Sequence, residues 1–306
     1  EFRLRMGMLR QDALDQPDQA IDVYQTVLMD HPDDEQAIQS LEQMFMAGQA
    51  VERISDILEP YYLEKDQHEN LVEIYLQRLD MLDDRFERFE LLMKVGRILL
   101  NELGDESRAL EVYGAALAEQ PEDEDVVEKL EELAESTGAW DATAGFYVDA
   151  LEREDLADED ALSLWVNLAR ILDERLGEID DAEGAYLQAL EIDPGEPRAL
   201  EALDRIYEEQ GRWNELADIL QRRIEGVYDE DEIVELSFRL AQVYQEQLDQ
   251  PNDAVETYRN VLERGFVLVA DDQGKPVKRR AELSAGQSVG LTFHDGTAAA
   301  RVEEEG

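Results

Sequence analysis

The chain contains four copies of one short stretch of sequence. The stretch AIDVYQTVLMDHP begins at Ala20 and returns as ALEVYGAALAEQP from Ala109, as AEGAYLQALEIDP from Ala182 and as AVETYRNVL from Ala254. The last three copies begin 73 and 72 residues apart, whereas the first two begin 89 residues apart. The surplus in the first interval is occupied by HENLVEIYLQRLDMLDD, which is either a further, degenerate hairpin or a lengthened helix pair. Self-similarity of this kind predicts an array of similar units.

Within each copy the apolar residues are spaced as on one face of a helix. In the second copy the spacing is i, i+3, i+4, i+7 and i+8, at Ala109, Val112, Tyr113, Ala116 and Leu117. Pro121 is expected to end this helix, because proline lacks an N–H group and disfavours helical geometry at the residue before it. Acidic residues after Pro32, Pro121 and Pro194 then fall in the first turn of the next helix. Gly138 and Gly211 mark short turns between paired helices.

Each unit of about 73 residues therefore divides into two helical hairpins of about 34 to 39 residues. One such hairpin cannot bury its apolar face alone, but stacked neighbours can. The recurring alanine and tyrosine residues have a structural explanation, because small residues let two helices approach closely and the aromatic ring fills the gap between hairpins.

The charge of the chain limits its partners. Its 306 residues carry a formal net charge of −48, and 43% of them are hydrophobic, so most of the chain should fold. Nucleic acid is a poor partner for such a chain, whereas basic proteins or peptides suit it. The absence of cysteine excludes disulfides and thiolate chemistry, and no apolar run is long enough to span a membrane. The first residues already read as helix without an initiator methionine, so we expect a piece of a longer protein.

The repeat resembles the tetratricopeptide repeat, a helix–turn–helix unit of 34 residues. In LWVNLARILDERLGEIDDAEGAYLQALEIDP the matching positions are Trp165, Leu168, Ala169, Ala182, Tyr186, Ala189 and Pro194. In the following unit they are Leu203, Tyr207, Gly211, Trp213 and Leu220. Leu216 replaces an expected small residue, and the linker before Ala182 is about one residue longer than the family pattern. The resemblance implies an all-α, right-handed α-solenoid of about seven helical hairpins over 1–262.

The resemblance also implies a concave groove, lined by the first helix of each hairpin, that binds a peptide or partner protein. The lining positions carried over to this sequence are Arg97, Asn101, Glu128, Glu132, Val166, Arg170, Asp173, Glu201, Arg205, Glu208, Phe238 and Gln242. The arginines could each hold a partner carboxylate in a two-point contact. The alternative is that Arg97, Arg170 and Arg205 only offset neighbouring acidic residues.

Catalytic and metal sites are not predicted in the first 262 residues. The acidic clusters PEDEDVV (121–127) and YDEDEIV (228–234) lack the alternating ligands and central glycine of a calcium loop, so they read as helix starts. The histidines, His31, His68 and His294, share no spacing. No phosphate-binding glycine loop or nucleophile elbow occurs. We therefore expect no enzyme activity and no cofactor.

The helical pattern stops near Leu262. The segment 263–306 contains runs typical of strands, FVLVA (266–270), SVGLTF (288–293) and TAAARV (297–302), with turns predicted at DDQGKP and at Asp295-Gly296. Six basic and seven acidic residues from Arg264 onward give a net charge of −1, so about −47 belongs to the repeats. We predict a small, separate β-rich segment at 263–306.

This segment resembles the C-terminal end of the large subunit of bacterial exodeoxyribonuclease VII. The residues that carry the resemblance are LERGFVLV, DDQGKPV, AELSAGQ and LTFHDGTAAARV. The domains that precede this end in that family have no counterpart here, so no catalytic residue is carried over. A local basic cluster near Phe266 and Phe293 is either a phosphate-contacting patch or a solvated turn, and its members are Lys275, Lys278, Arg279 and Arg280.

Three functions are compatible with these features. The first is a non-enzymatic scaffold whose groove binds a peptide or protein, with basic character expected of the partner. The alternative is a fragment or fusion related to the exodeoxyribonuclease VII large subunit, a single-strand DNA nuclease, without its catalytic domain. The third is a spacer or assembly element with no groove ligand. We expect a bacterial, cytoplasmic protein.

Overall fold

The computed structural model of the chain describes residues 2–153, 156–263, 268–270, 284, 287–293 and 296–302. The described helices are α1 (Phe2–Asp12), α2 (Pro17–Asp30), α3 (Glu35–Met46), α4 (Val51–Glu64), α5 (His68–Leu79), α6 (Arg85–Ile98), α7 (Glu106–Glu119), α8 (Glu124–Thr137), α9 (Trp140–Leu151), α10 (Asp158–Ile171), α11 (Ile179–Ile192), α12 (Pro197–Gln210), α13 (Trp213–Gly226), α14 (Glu230–Gln242) and α15 (Pro251–Glu263). The strands are β1 (Leu268–Ala270), β2 (Ser288–Phe293) and β3 (Gly296–Arg301). The helical repeat array and the small β-rich C-terminal segment predicted from the sequence are confirmed.

The chain divides into two compact units, unit 1 (Glu1–Leu176) and unit 2 (Gly177–Gly306). Unit 1 contains α1 to α10, in which α1 packs against α2 and α6 against α7. Unit 2 contains α11 to α15 and the strands, and here α12 packs against α13 and α14 against α15. The last described helix ends at Glu263 and the first strand begins at Leu268, whereas the division into compact units falls between 176 and 177.

One additional helix accounts for the long first interval of the repeat. Four described helices, α3 to α6, lie between the first and second copies of the repeated stretch, whereas three lie between later copies, α8 to α10 and α12 to α14. The surplus sequence is therefore neither a degenerate hairpin nor a lengthened pair, which were the two alternatives from the sequence. This single helix of 12 residues, α5, packs against both α4 and α6.

Three π-helical turns absorb an extra residue in the repeat. They continue α6 over Leu99–Leu103, α10 over Leu172–Leu176 and α14 over Val243–Gln247. A π-turn closes its hydrogen bond over one more residue than an α-turn does, as Leu248 N donating to Val243 O at 3.1 Å illustrates. The linker that is one residue longer than the family pattern is thus accommodated inside the helix.

The helix ends follow the sequence signals. Aspartate side chains at five N-caps accept a hydrogen bond from the backbone N–H three residues later, namely those of Asp34, Asp84, Asp105, Asp123 and Asp229. After Pro194 the cap is Glu196, and the first turn of α12 carries no acidic residue. Gly138 and Gly211 end α8 and α12 with φ of 71° and 67°, a left-handed conformation that suits glycine. These five aspartates therefore stabilise helix N-termini.

Close helix packing depends on glycine facing tyrosine. A Cβ atom on Gly7 would lie 2.6 Å from Cε1 of Tyr24, and one on Gly96 would lie 2.7 Å from Cε2 of Tyr113. Both tyrosines are buried. The recurring tyrosine, predicted to fill the gap between hairpins, here lies against a glycine of the neighbouring helix, α1 beside α2 and α6 beside α7.

Three arginines hold the C-terminal end of α7. Arg85 Nη2 donates to Glu119 O at 2.6 Å, and Arg153 Nη1 donates to Ala118 O at 2.7 Å. Arg88 Nε donates to the buried carboxylate of Glu119 at 2.7 Å. Positive charge is favourable at the negative end of the helix dipole, so these contacts stabilise the helix end.

The strands form one antiparallel sheet in the order β1–β2–β3. Val269 pairs with Leu291, and Gly290 pairs with Ala299. Several predictions lie outside the described residues, namely the turn at DDQGKP, residues 294 and 295 of the second turn, the side chain of Phe293, and Phe266 with the cluster Lys275, Lys278, Arg279 and Arg280.

Candidate partner-binding surfaces

The predicted groove residues differ in exposure and lie in both units. Those in unit 1 are Arg97, Asn101, Glu128, Glu132, Val166, Arg170 and Asp173, and those in unit 2 are Glu201, Arg205, Glu208, Phe238 and Gln242. Seven of the twelve are exposed, namely Arg97, Asn101, Glu128, Glu132, Glu201, Arg205 and Glu208. Arg170, Phe238 and Gln242 are half-buried. Val166 and Asp173 are 2% and 8% exposed, so they do not belong to an open surface and leave the candidate set.

The three predicted arginines make contacts within their own units. Arg170 forms an ion pair with Glu131, and Arg205 Nη1 lies 3.6 Å from Glu209 Oε2. Arg97 Nε donates to the backbone oxygen of Met93 at 3.0 Å. The ion pairs of Arg170 and Arg205 favour the interpretation that these side chains offset nearby acids over the interpretation that they await a partner carboxylate.

A cleft of about 890 Å³ opens beside the additional helix in unit 1. Its walls are α4, α5 and α6 with the π-turn that follows α6. The side chains that line it are Glu52, Glu59, Leu63, Tyr75, Arg78, Leu82, Phe86, Glu87, Glu90, Leu91, Lys94, Arg97, Ile98, Asn101 and Glu102. Two predicted groove residues, Arg97 and Asn101, are therefore brought together here with residues that the sequence did not single out.

A hydrogen-bonded clamp joins the three helices at this cleft. Tyr75 Oη and Lys94 Nζ both donate to Glu59 Oε1, at 2.6 and 2.8 Å. Burial opposes ionisation of Glu59, but these two hydrogen bonds, together with the positive charges of Lys94 and Arg78, lower the pKa of the carboxyl. Lys94 Nζ also lies 4.2 Å from the centroid of the Tyr75 ring. Glu59 and Lys94 thus form an ion pair within the protein.

The same arrangement recurs in unit 2, which indicates a structural role for it. Tyr207 Oη donates to Glu183 Oε1 at 3.0 Å, and the guanidinium carbon of Arg212 lies 4.5 Å from the Tyr207 ring centroid. Burial and the Glu183 carboxylate raise the pKa of Tyr207 to about 12, so the hydroxyl stays a donor at neutral pH.

A buried ion cluster lies behind the predicted groove residues of unit 2. Asp204 is 3% exposed, and its Oδ1 and Oδ2 lie 2.6 and 2.7 Å from Arg239 Nη2 and Nη1. Arg223 Nη1 also contacts Asp204 Oδ2. Glu208 Oε2 accepts from Arg239 Nη2 at 2.8 Å, and Glu201 Oε1 lies 3.8 Å from Arg223 Nη2. Glu201 and Glu208 are therefore partly engaged.

Sequence reasoning missed this cluster although the sequence contained a signal. Asp204 falls at a core position of the helical period, since Leu200, Leu203 and Tyr207 are buried around it. A charged residue on an apolar face requires partners, because an unpaired buried charge is costly. The arginines on the next two helices, Arg223 and Arg239, supply them.

The described residues contain no group of three or more histidine, aspartate or glutamate side chains placed to hold a metal ion. None of the described helices combines the length and apolar character needed to cross a bilayer.

Family models for the tetratricopeptide repeat match four stretches of the chain. The matched residues are 1–34, 162–196, 199–233 and 235–264. Among solved structures, PilF of Pseudomonas aeruginosa is 15% identical with a TM-score of 0.36, and the match covers 66% of this chain and 86% of that one. The C-terminal part of a tetratricopeptide-repeat protein from Cytophaga hutchinsonii is 14% identical with a TM-score of 0.36, covering 78% and 93%.

Curated relatives match part of the chain only. The exodeoxyribonuclease 7 large subunit of Rhodospirillum centenum is 42% identical over 122 residues, which are 35% of this chain and 23% of that protein. The subunit of Sinorhizobium fredii is 52% identical over 50 residues, 16% of this chain and 10% of that protein. The chain thus spans less than a quarter of the length of these relatives.

Two of the matched stretches coincide with helix pairs of unit 2. Residues 199–233 take in α12 and α13, and 235–264 take in most of α14 and all of α15. Similarity to the nuclease subunit is confined to a minor part of that protein. The matched stretches therefore identify tetratricopeptide repeats in this chain.

Proposed function

We propose that the chain is a non-enzymatic scaffold that binds a basic segment of a partner protein on the acidic surface of its repeats. Tetratricopeptide-repeat arrays present extended surfaces built from successive hairpins. The observation that carries the proposal is the charge of about −47 on the repeats, together with exposed carboxylates such as Glu128 that form no ion pair within the described residues. Opposite charge speeds encounter and suppresses acidic competitors.

Charge reversal on the predicted groove tests this function. We expect a variant with Glu128, Glu132, Glu201 and Glu208 changed to lysine to capture lysine- and arginine-rich partners about tenfold less well, since several like charges would then face them. Capture by the tagged chain is measured by quantitative mass spectrometry. The matched control reverses four exposed acids elsewhere, Glu35, Glu111, Glu124 and Glu152, with the same change in net charge.

The comparison with the control decides the outcome. A larger loss in the groove variant than in the control supports binding at the predicted surface. Capture that matches wild type in both variants contradicts the proposal, because the acidic surface would then make no contribution. Circular dichroism of each variant establishes that the helices are retained.

A second candidate function follows from the partial similarity to exodeoxyribonuclease 7 large subunits. The chain would then act within a nuclease assembly. We expect the purified chain to release no nucleotides from labelled single-stranded DNA, because its charge repels phosphates. Digestion that copurifies with the chain through further purification would overturn the non-enzymatic assignment.

A further inference from the structure

The helix α5 lines a large cleft in unit 1. Helix α5 packs against both α4 and α6, and its Tyr75 and Arg78 line the cleft. The cleft of about 890 Å³ falls within the size of sites that bury a substantial ligand.

Three carboxylates at this cleft form no ion pair within the described residues. Glu52, Glu87 and Glu90 are exposed, and none has a cation within ion-pairing distance in the described part of the chain. Of the cations in the cleft walls, Lys94 binds Glu59, Arg78 Nη1 lies 3.5 Å from Asp56, and Arg97 Nε donates to the backbone oxygen of Met93. The three carboxylates without an ion pair outnumber Arg97, the one wall cation with no acidic partner in the described part of the chain. The free charge presented to a ligand is therefore negative.

Apolar side chains are exposed beside these carboxylates. Phe86 is 61% exposed and Leu63 is 51% exposed, on α6 and α4 respectively. Leu91 and Ile98 are half-buried and continue the apolar surface along α6. Large apolar side chains left open to water at a concave site are typical of interaction surfaces.

We propose that the cleft between α4, α5 and α6 binds a short partner segment that carries one large apolar side chain flanked by lysine or arginine. The apolar side chain packs against Phe86 and Leu63, and the flanking cations pair with Glu52, Glu87 and Glu90. The exposed face of Phe86 also suits a cation–π contact. This inference rests on the proposed scaffold function and adds the site and the pattern of the ligand.

Selection from a phage library of randomised short peptides against the full chain tests the site. Enriched peptides should carry a large apolar residue between basic residues. Their affinity, measured by fluorescence anisotropy, should fall about tenfold in a variant with Glu52→Gln, Glu87→Gln and Glu90→Gln, since three partly exposed charge pairs are lost. Phe86→Ser should weaken binding by a similar factor.

A matched control is available in the same unit. Glu35, Glu124 and Glu111 are exposed, the first two in the first turn of a helix, as Glu52 and Glu87 are. Changing them to glutamine removes the same charge with the same effect on helix ends. We expect the control variant to bind the selected peptides within about twofold of wild type.

The outcomes separate the site from the function. Basic peptides that bind the cleft variants as tightly as wild type overturn the cleft assignment and leave the scaffold function standing. Enrichment of acidic peptides, or of none, overturns the scaffold function and the cleft together. Light scattering that detects a dimer lost in Phe86→Ser would assign the cleft to a second copy of the chain and overturn the peptide proposal.

Discussion

Replacing Gly96 with leucine is expected to lower the free energy of unfolding of unit 1 by about 3 kcal/mol. A Cβ at this position already lies 2.7 and 2.8 Å from Cε2 and Cζ of the buried Tyr113 ring, so the longer side chain forces α6 and α7 apart. Ala241 occupies the corresponding position of a later repeat, which makes alanine a weaker test than leucine. Urea unfolding followed by circular dichroism measures the change.

The substitution Gly145→Ala is expected to raise the free energy of unfolding of unit 1, whereas Gly96→Leu lowers it. Gly145 lies inside α9 with no atom within 4 Å of its added Cβ, so alanine should stabilise the helix by about 0.5 to 1 kcal/mol through its higher helix propensity. Equal effects of the two substitutions would mean that Gly96 is not required for the close approach of α6 and α7. Hydrogen exchange would locate the loosened helices.

Replacing Asp204 with alanine is expected to destabilise unit 2 by about 3 kcal/mol, because it leaves two arginines without their central carboxylate. Arg223 is 16% exposed and retains Glu201 and Glu232 only at 3.8 Å. The cluster connects α12, α13 and α14, so its loss weakens the stacking of successive hairpins. The midpoint of urea unfolding measures this effect.

Glu208→Ala is the matched control for Asp204→Ala. Its carboxylate contacts the same Arg239, but its side chain is 56% exposed, and exposed ion pairs contribute less than about 1 kcal/mol. If Asp204→Ala proves as mild as Glu208→Ala, the cluster does not stabilise the stack, and the acidic charge of α12 is free for another role.

The repeat architecture was predictable because proline and glycine residues mark the helix ends in the sequence. Pro121 lies two residues after the end of α7, and the left-handed glycines Gly138 and Gly211 lie directly after α8 and α12. The strand runs near 288–293 and 297–302 likewise gave β2 and β3. These signals are local, so they can be recognised in a single sequence without information on tertiary packing.

The candidate site was less predictable because it depends on how successive helices pack against each other. The sequence HENLVEIYLQRLDMLDD contains one helix, and only its packing between α4 and α6 creates the cleft. Phe86, Glu87 and Glu90 stand among other charged residues with no distinguishing spacing. Val166 was carried over from the family pattern as a surface position, yet packing buries it.

The salt dependence of association tests most directly whether the acidic repeats capture a basic partner. The association rate constant of a selected peptide with the wild-type chain is measured by stopped-flow fluorescence at about 50 mM and about 300 mM salt. We predict a fall of about tenfold or more, with a smaller change in the dissociation rate constant, because long-range attraction is screened. An association rate constant that is the same at both salt concentrations would contradict capture by the charge of the repeats.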